Sequence, residues 1–194
     1  GVVIVMFIKK PMIRRIGEVL LGFGVLFFGM STLSSSVDKL NEVEAIKHLF
    51  SSLTNPFIAV LIGFLATSIL QSASASVGIL IVLASSGLMD LNICYYVIMG
   101  CNIGACGSAV LASLSGTKDA KRAAMIHVSF NVIGLVIVMT LLAFCGEPIM
   151  SAIHTLSAST ANAGLRAGRD VANINTIIKV FQVIVLFPLS RFLI

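Results

Sequence analysis

Along this chain, long apolar runs alternate with short charged clusters, and each run has a length that can be compared with the thickness of a bilayer. Runs at roughly 12–35, 91–115, 121–145 and 171–194 each reach the ~20 residues that a spanning helix requires, and the charges that separate them are few. The pattern predicts four spanning helices. The segment between His48 and Asp90 behaves differently, because its 41 residues carry no charge at all. As one helix it would extend about 60 Å, twice the ~30 Å hydrocarbon thickness, yet no charged loop divides it into two full spans.

Two shorter helices fit that segment. Pro56 stands where proline opens a helix, with Thr54 or Asn55 as candidate N-caps. A polar run, Gln71, Ser72, Ala73, Ser74, Ala75 and Ser76, follows about 15 residues later, and Ser85, Ser86 and Gly87 end the second arm. The expectation is a re-entrant hairpin over about 54–89, with both arms returning to one membrane face. The excess of Lys and Arg on one side of a membrane supports this choice. With a hairpin, Lys9, Lys10, Arg14, Arg15, Lys118, Lys121, Arg122 and Arg191 share a face, against Lys39, Lys47, Arg166 and Arg169. With a single crossing, the first four of these change sides and the bias vanishes.

Composition agrees with a bilayer environment. Of 194 residues 58% are hydrophobic and 11% charged, at a mean hydropathy of +1.07, whereas soluble domains carry roughly 25% charged residues. The net charge of +5 lies in interhelical clusters rather than on one basic face, which is a topology signal and argues against nucleic-acid binding. Cys94, Cys101, Cys106 and Cys145 form no C-x-x-C pair and read as small apolar packing residues. The first apolar run, Gly1 to Ile8, is too short to span and is followed rather than preceded by Lys9 and Lys10. It reads as the remainder of a helix rather than a cleaved leader.

Three polar constellations interrupt the apolar segments. The hairpin tip places an amide and three hydroxyls where each must find a partner or a water-filled cavity. The free N–H groups and positive dipole end of the second arm point where an anion could sit, with Gln71, Ser72 and Ser74 as donors. The alternative is serine in close helix packing. Gly100, Cys101, Asn102, Ile103, Gly104 then interrupt a segment long enough to span. Loosened carbonyls and the Asn102 amide would suit sodium, a hard cation; the alternative is a small-residue packing face. Third, His127 and Asn131 share a helix face, with Asn131 the better ligand and His127 an interhelical hydrogen-bonding residue.

Gln71 to Ala75, Gly100 to Gly104, and Ala123 to Asn131, in this order, resemble the type II sodium/phosphate cotransporter family. The resemblance runs from about Ile16 to Asn131 and is looser from Cys145 onward. It implies one half of an inverted-repeat transporter, an all-α membrane protein that couples sodium movement to phosphate by alternating access around a site between two hairpin tips. The implied partners are inorganic phosphate, sodium, the lipid bilayer of the cell membrane, and a second repeat in the same full-length chain or a second copy. The truncated start favours the C-terminal half of a longer transporter. The implied roles are substrate contact by Gln71, Ser72 and Ser74, and cation or shared coordination by Ser76, Asn102, Asn131 and Thr176.

The chain departs from the family pattern at informative places. Ala73 replaces the middle serine of the tip, and Ala105 and Cys106 stand where two threonines are usual. In the last helix, Asn175, Thr176, Ile177, Ile178 and Lys179 replace a His-Thr-x-Phe-Asn pattern. Lys179 lies inside an apolar helix, where a charge is expensive unless it snorkels, pairs with an acid, or takes the place of a bound cation. An enzyme would need a nucleophile, base and acid or a metal cluster. Ser72 or Ser74 with His127 is the nearest approach, and nothing in the spacing unites them, so no catalytic residue and no cofactor beyond the sodium ion are expected. A sodium-independent or degenerate anion carrier, or a structural membrane subunit, is the competing reading.

Overall fold

The computed structural model describes residues 1–8 and 10–193, with side chains through Pro188. Lys9 and the side chain of Arg191, both used in the charge count, lie outside the described residues. Among the described residues every regular element is a helix. In chain order these are α1 (Val2–Phe7), α2 (Pro11–Leu40), α3 (Glu44–Ser51), α4 (Pro56–Leu70), α5 (Ala73–Ser85), α6 (Leu91–Gly104), α7 (Cys106–Leu114), α8 (Lys118–Leu156) and α9 (Ala163–Leu193).

Polar residues at the edges of the apolar runs set the helix starts, because the first N–H groups of a helix have no partner of their own. The Asn55 side chain accepts from Phe57 N at 2.9 Å, and Pro56 occupies the first helical position of α4. Asp90 caps α6 through Asn92 N at 2.7 Å, and Thr117 caps α8 through Ala120 N at 3.3 Å. Asn162 opens α9 by accepting from Gly164 N at 2.9 Å. Four helical stretches are long and apolar enough to cross a membrane: Pro11–Leu40, Leu91–Leu114, Lys118–Leu156 and Ala163–Pro188. The protein is a multi-pass membrane protein. A fifth span would arise only by joining α3 to α4, which meet at a bend of 115°.

Helix α9 begins eight residues before position 171. Arg166 and Arg169, read in the sequence as loop charges, therefore stand in its first two turns, and Lys179 sits deeper along the helix than an onset at 171 implies. Helix α8 runs past 145 with non-helical dihedrals at Cys145 (φ −127°, ψ 24°). Pro148 explains the kink, since its ring clashes with the carbonyl one turn earlier and it lacks an N–H.

The centre of the bundle is the contact of α4 with α6, flanked by α5 and α9. Here the glycines carry the argument. A Cβ on Gly63 would overlap the Val97 carbonyl, and one on Gly100 the Val60 carbonyl. A Cβ on Gly104 would lie 2.5 Å from the Phe64 carbonyl oxygen. Of the two readings of Gly100 and Gly104, loosened backbone and a small-residue packing face, the structure has the second: both glycines stay helical, and Ala105 keeps αR dihedrals with its N–H on Cys101 O at 3.0 Å. Without Cβ atoms the two backbones approach closely, which is how helices gain dispersion contact where no hydrophobic force drives them together.

Candidate functional site

The interruption at the serine-rich tip is real. Helix α4 stops at Leu70, and Gln71 adopts a left-handed conformation (φ 53°, ψ 24°) with its N–H on Thr67 O at 2.7 Å. An L-residue pays roughly 1–2 kcal/mol for this conformation, which glycine adopts freely. Ser72 is extended and caps α5, its Oγ accepting from Ala75 N at 3.3 Å. Ser76 is buried and its hydroxyl donates to Ser72 O at 3.1 Å. Two of the tip's hydroxyls are therefore engaged in ordering the turn itself, while Gln71 and Ser74 are exposed.

Behind the tip, α5, α6, α8 and α9 border an open cavity of about 280 Å³. Ala73, Asn102, His127, Asn131, Lys179 and Gln182 line it together with Ala105, Phe130 and Val183. At about 30 Å³ per water, this is room for a small ion with part of its hydration shell. Asn102 is 6% exposed, and its Nδ2 is buried with no hydrogen-bond partner. A buried donor in that state costs about 1–3 kcal/mol; Asn102 lines the cavity as a residue, and its amide nitrogen lies beneath the accessible surface.

Cys106 ties this wall together. Asn131 Nδ2 donates to Cys106 Sγ at 3.2 Å and to His127 O at 3.0 Å, while the thiol donates to Asn102 O at 3.6 Å. The thiol stands where the family pattern has a threonine, and it does more than the small-residue packing expected of it: it orients the Asn131 amide and ties it to the Asn102 backbone. Asn131 thereby commits its amide nitrogen to the wall and has its carbonyl oxygen free for the cavity. Lys179, an exposed residue, borders the same space, and no carboxylate lines it.

Of the residues singled out in the sequence, Asn102, Asn131 and Lys179 meet at this cavity. Gln71, Ser72, Ser74 and Ser76 do not line it; Ala73 represents the tip there, so the serine missing at 73 is a hydroxyl missing from the cavity wall. Thr176 is exposed, and its Oγ1 donates to Ala172 O at 3.0 Å, away from the cavity lining. Gln182 was overlooked. It is 5% exposed, and its amide lies against Gly134, where a Cβ would overlap Nε2. Its signal was an amide three residues after Lys179 on an apolar helix, a spacing that shares a face.

The Na+/Pi-cotransporter family pattern matches residues 27–165, a stretch that holds Asn102, Cys106 and Asn131 and ends before Lys179 and Gln182. The chain belongs to that family. It is 36% identical over 134 residues to the uncharacterized protein YqeW of Bacillus subtilis (strain 168), covering 67% of this chain and 43% of YqeW. It is 29% identical over 168 residues to sodium-dependent phosphate transport protein 2A of Rattus norvegicus, covering 82% of this chain and 26% of the relative. Escherichia coli (strain K12) has a relative named "Putative inorganic phosphate export protein YjbB", 23% identical over 140 residues, or 72% of this chain and 26% of the relative. The chain thus spans less than half the length of these relatives. No solved structure matches it.

Proposed function

We propose that the chain is one repeat of a sodium-coupled phosphate symporter that works by alternating access, with α4 and α5 as a re-entrant hairpin and a second repeat supplied by a longer chain or a second copy. The observation that carries this reading is the cavity in which the unpartnered Asn102 amide, Asn131 and Lys179 meet the foot of the serine-rich tip. Amide and ammonium donors suit phosphate oxygens, and the asparagine oxygens suit a hard cation. The exposed Gln71 and Ser74, with Ser72 at the start of α5, supply the anion contacts from the tip, where the positive end of that helix adds to the attraction. Ser76 and Thr176 hold their hydroxyls on backbone carbonyls outside this cavity, so shared coordination by them would be completed against the second repeat.

Radiolabelled phosphate uptake into proteoliposomes, with and without an inward sodium gradient, tests the proposal. Uptake that rises with the gradient is expected; transport of neither phosphate nor another anion would leave a structural membrane subunit as the better account.

A second reading rests on Lys179. A lysine ammonium bordering the cavity does electrostatically what a bound cation would do, so the chain would carry its anion without sodium. In that case uptake is gradient-independent in the unsubstituted protein, and Lys179→Asn confers a sodium requirement. A Lys179→Asn variant that transports as before, still indifferent to sodium, would remove the ammonium from the argument.

A further inference from the structure

A second opening, remote from the tip, lies where α6, α8 and α9 diverge below the Cys145 kink. Its inner part is a trough of about 260 Å³ with a wholly apolar lining that includes Val138, Leu142 and Ile153 of α8 and Ile174, Ile178 and Phe181 of α9. A neighbouring chamber of about 300 Å³ shares Tyr95 and Leu142 with the trough. A third, of about 570 Å³, shares Asn92, Glu147 and Met150 with the second and adds His154 and Arg166. The three adjoin one another through these shared residues, apolar at one end and charged at the other. The Tyr95 hydroxyl, which donates to Met150 Sδ, marks the transition.

The charged end has unmet demands. Arg166 donates through a terminal nitrogen to His154 O at 3.2 Å, while its Nε is buried with no partner. His154 Nδ1 is held at 2.8 Å by Asp170, a residue 1% exposed, which fixes the ring and leaves Nε2 for the chamber. Glu147 makes no ion pair among the described residues. From Arg166 to Ile177 is eleven residues of α9, about 17 Å of rise, close to half the ~30 Å hydrocarbon core. That is the depth one acyl chain reaches in its own leaflet.

We propose that this groove is a phospholipid site, with an acyl chain in the trough and a headgroup bearing both phosphate and ammonium, as in phosphatidylethanolamine, at Arg166 and Glu147. Charge complementarity selects the occupant. A phosphate diester supplies acceptors to the Arg166 guanidinium at the chamber wall, with the start of α9 reinforcing the attraction. The ammonium neutralises Glu147, which would repel a purely anionic headgroup. Free phosphate satisfies Arg166 and leaves the trough empty.

Native mass spectrometry of the full chain in detergent, offered phosphatidylethanolamine, phosphatidylglycerol or inorganic phosphate, tests the assignment. One phosphatidylethanolamine is expected to be retained about tenfold more strongly than phosphatidylglycerol, the factor that about 1.4 kcal/mol supplies. Glu147→Gln, an isosteric change at an exposed position, should abolish that preference while keeping the lipid. Arg166→Gln should weaken both lipids, and Val138→Trp, which fills the trough, should do the same without touching the headgroup. Equal retention of the two lipids by the unsubstituted protein, or displacement of the lipid by inorganic phosphate, would overturn the proposal. So would unchanged binding in both Glu147→Gln and Val138→Trp.

Discussion

The chain contains two stretches that look alike as interruptions of apolar helices, Gln71–Ser76 and Gly100–Gly104, and they are built for opposite purposes. At the first, the helix ends, an L-residue enters the left-handed region, and serine hydroxyls take over the work of the missing helical bonds. At the second, the helix continues and the missing side chains admit a neighbouring backbone. Small and polar residues in a membrane helix thus signal either a break or a seam, and the partner across the contact decides which. The two regions meet: the seam carries Asn102 to the cavity wall, and the break sets Ala73 opposite it.

The sharpest way to break the comparison is to give the seam a side chain. Gly100→Val would drive its methyl groups into the Val60 carbonyl. Overpacking of this kind costs about 1–3 kcal/mol, and collision with backbone belongs at or beyond the upper end. Thermal melts in detergent should show a large loss, matched by Gly63→Val on the other helix. Gly78→Ala is the counterpart on α5, where a Cβ would meet nothing within 4 Å. It should be neutral or stabilising by about 0.4–1 kcal/mol. Equal melting temperatures for Gly100→Val and Gly78→Ala would mean that α4 and α6 are not in backbone contact.

At the break, Gln71→Gly separates strain from function. Glycine takes φ 53° without penalty, so the variant should gain about 1 kcal/mol in stability. If the Gln71 amide contacts the anion, the same variant should lose phosphate uptake. Stability and transport therefore move in opposite directions, which a purely structural tip would not produce. A variant that is more stable and transports normally would release Gln71 from the site.

The all-helical membrane architecture was legible in the sequence because run length and charge spacing answer directly to bilayer thickness. The cap at Asn55, offered by the sequence with Thr54 as the alternative, was equally local, since it satisfies N–H groups two and three residues away. The role of Gly100 and Gly104 was not legible: a glycine that loosens a helix and one that admits a neighbour have the same sequence, and only Val60 and Phe64, some forty residues earlier, distinguish them. Gln182 escaped for a related reason, since its amide gains meaning only from Gly134 and Lys179 around it. The kink at Cys145 was a proline effect displaced by one turn. The onset of α9 was missed because Arg166, Arg169 and Asp170 resemble loop charges until His154 is seen to hold Asp170.

The smallest expected effect sharpens the comparison most finely, because it lies where seam and break meet. Cys106→Thr restores the residue usual in the family pattern. The threonine hydroxyl can donate to Asn102 O four residues back and accept from Asn131 Nδ2, the two bonds the thiol now makes. Interhelical hydrogen bonds of this kind in membranes average about 0.6 kcal/mol, so the melting temperature should barely change. What the substitution adds is a hard oxygen in place of a soft sulfur behind the cavity wall, where it holds the amide nitrogen of Asn131 and so the carbonyl oxygen that amide presents. The apparent sodium affinity of phosphate uptake should therefore tighten, more so in combination with Lys179→Asn, where the ammonium no longer repels the cation. A Cys106→Thr, Lys179→Asn double variant with the sodium response of the unsubstituted chain would place sodium outside this cavity.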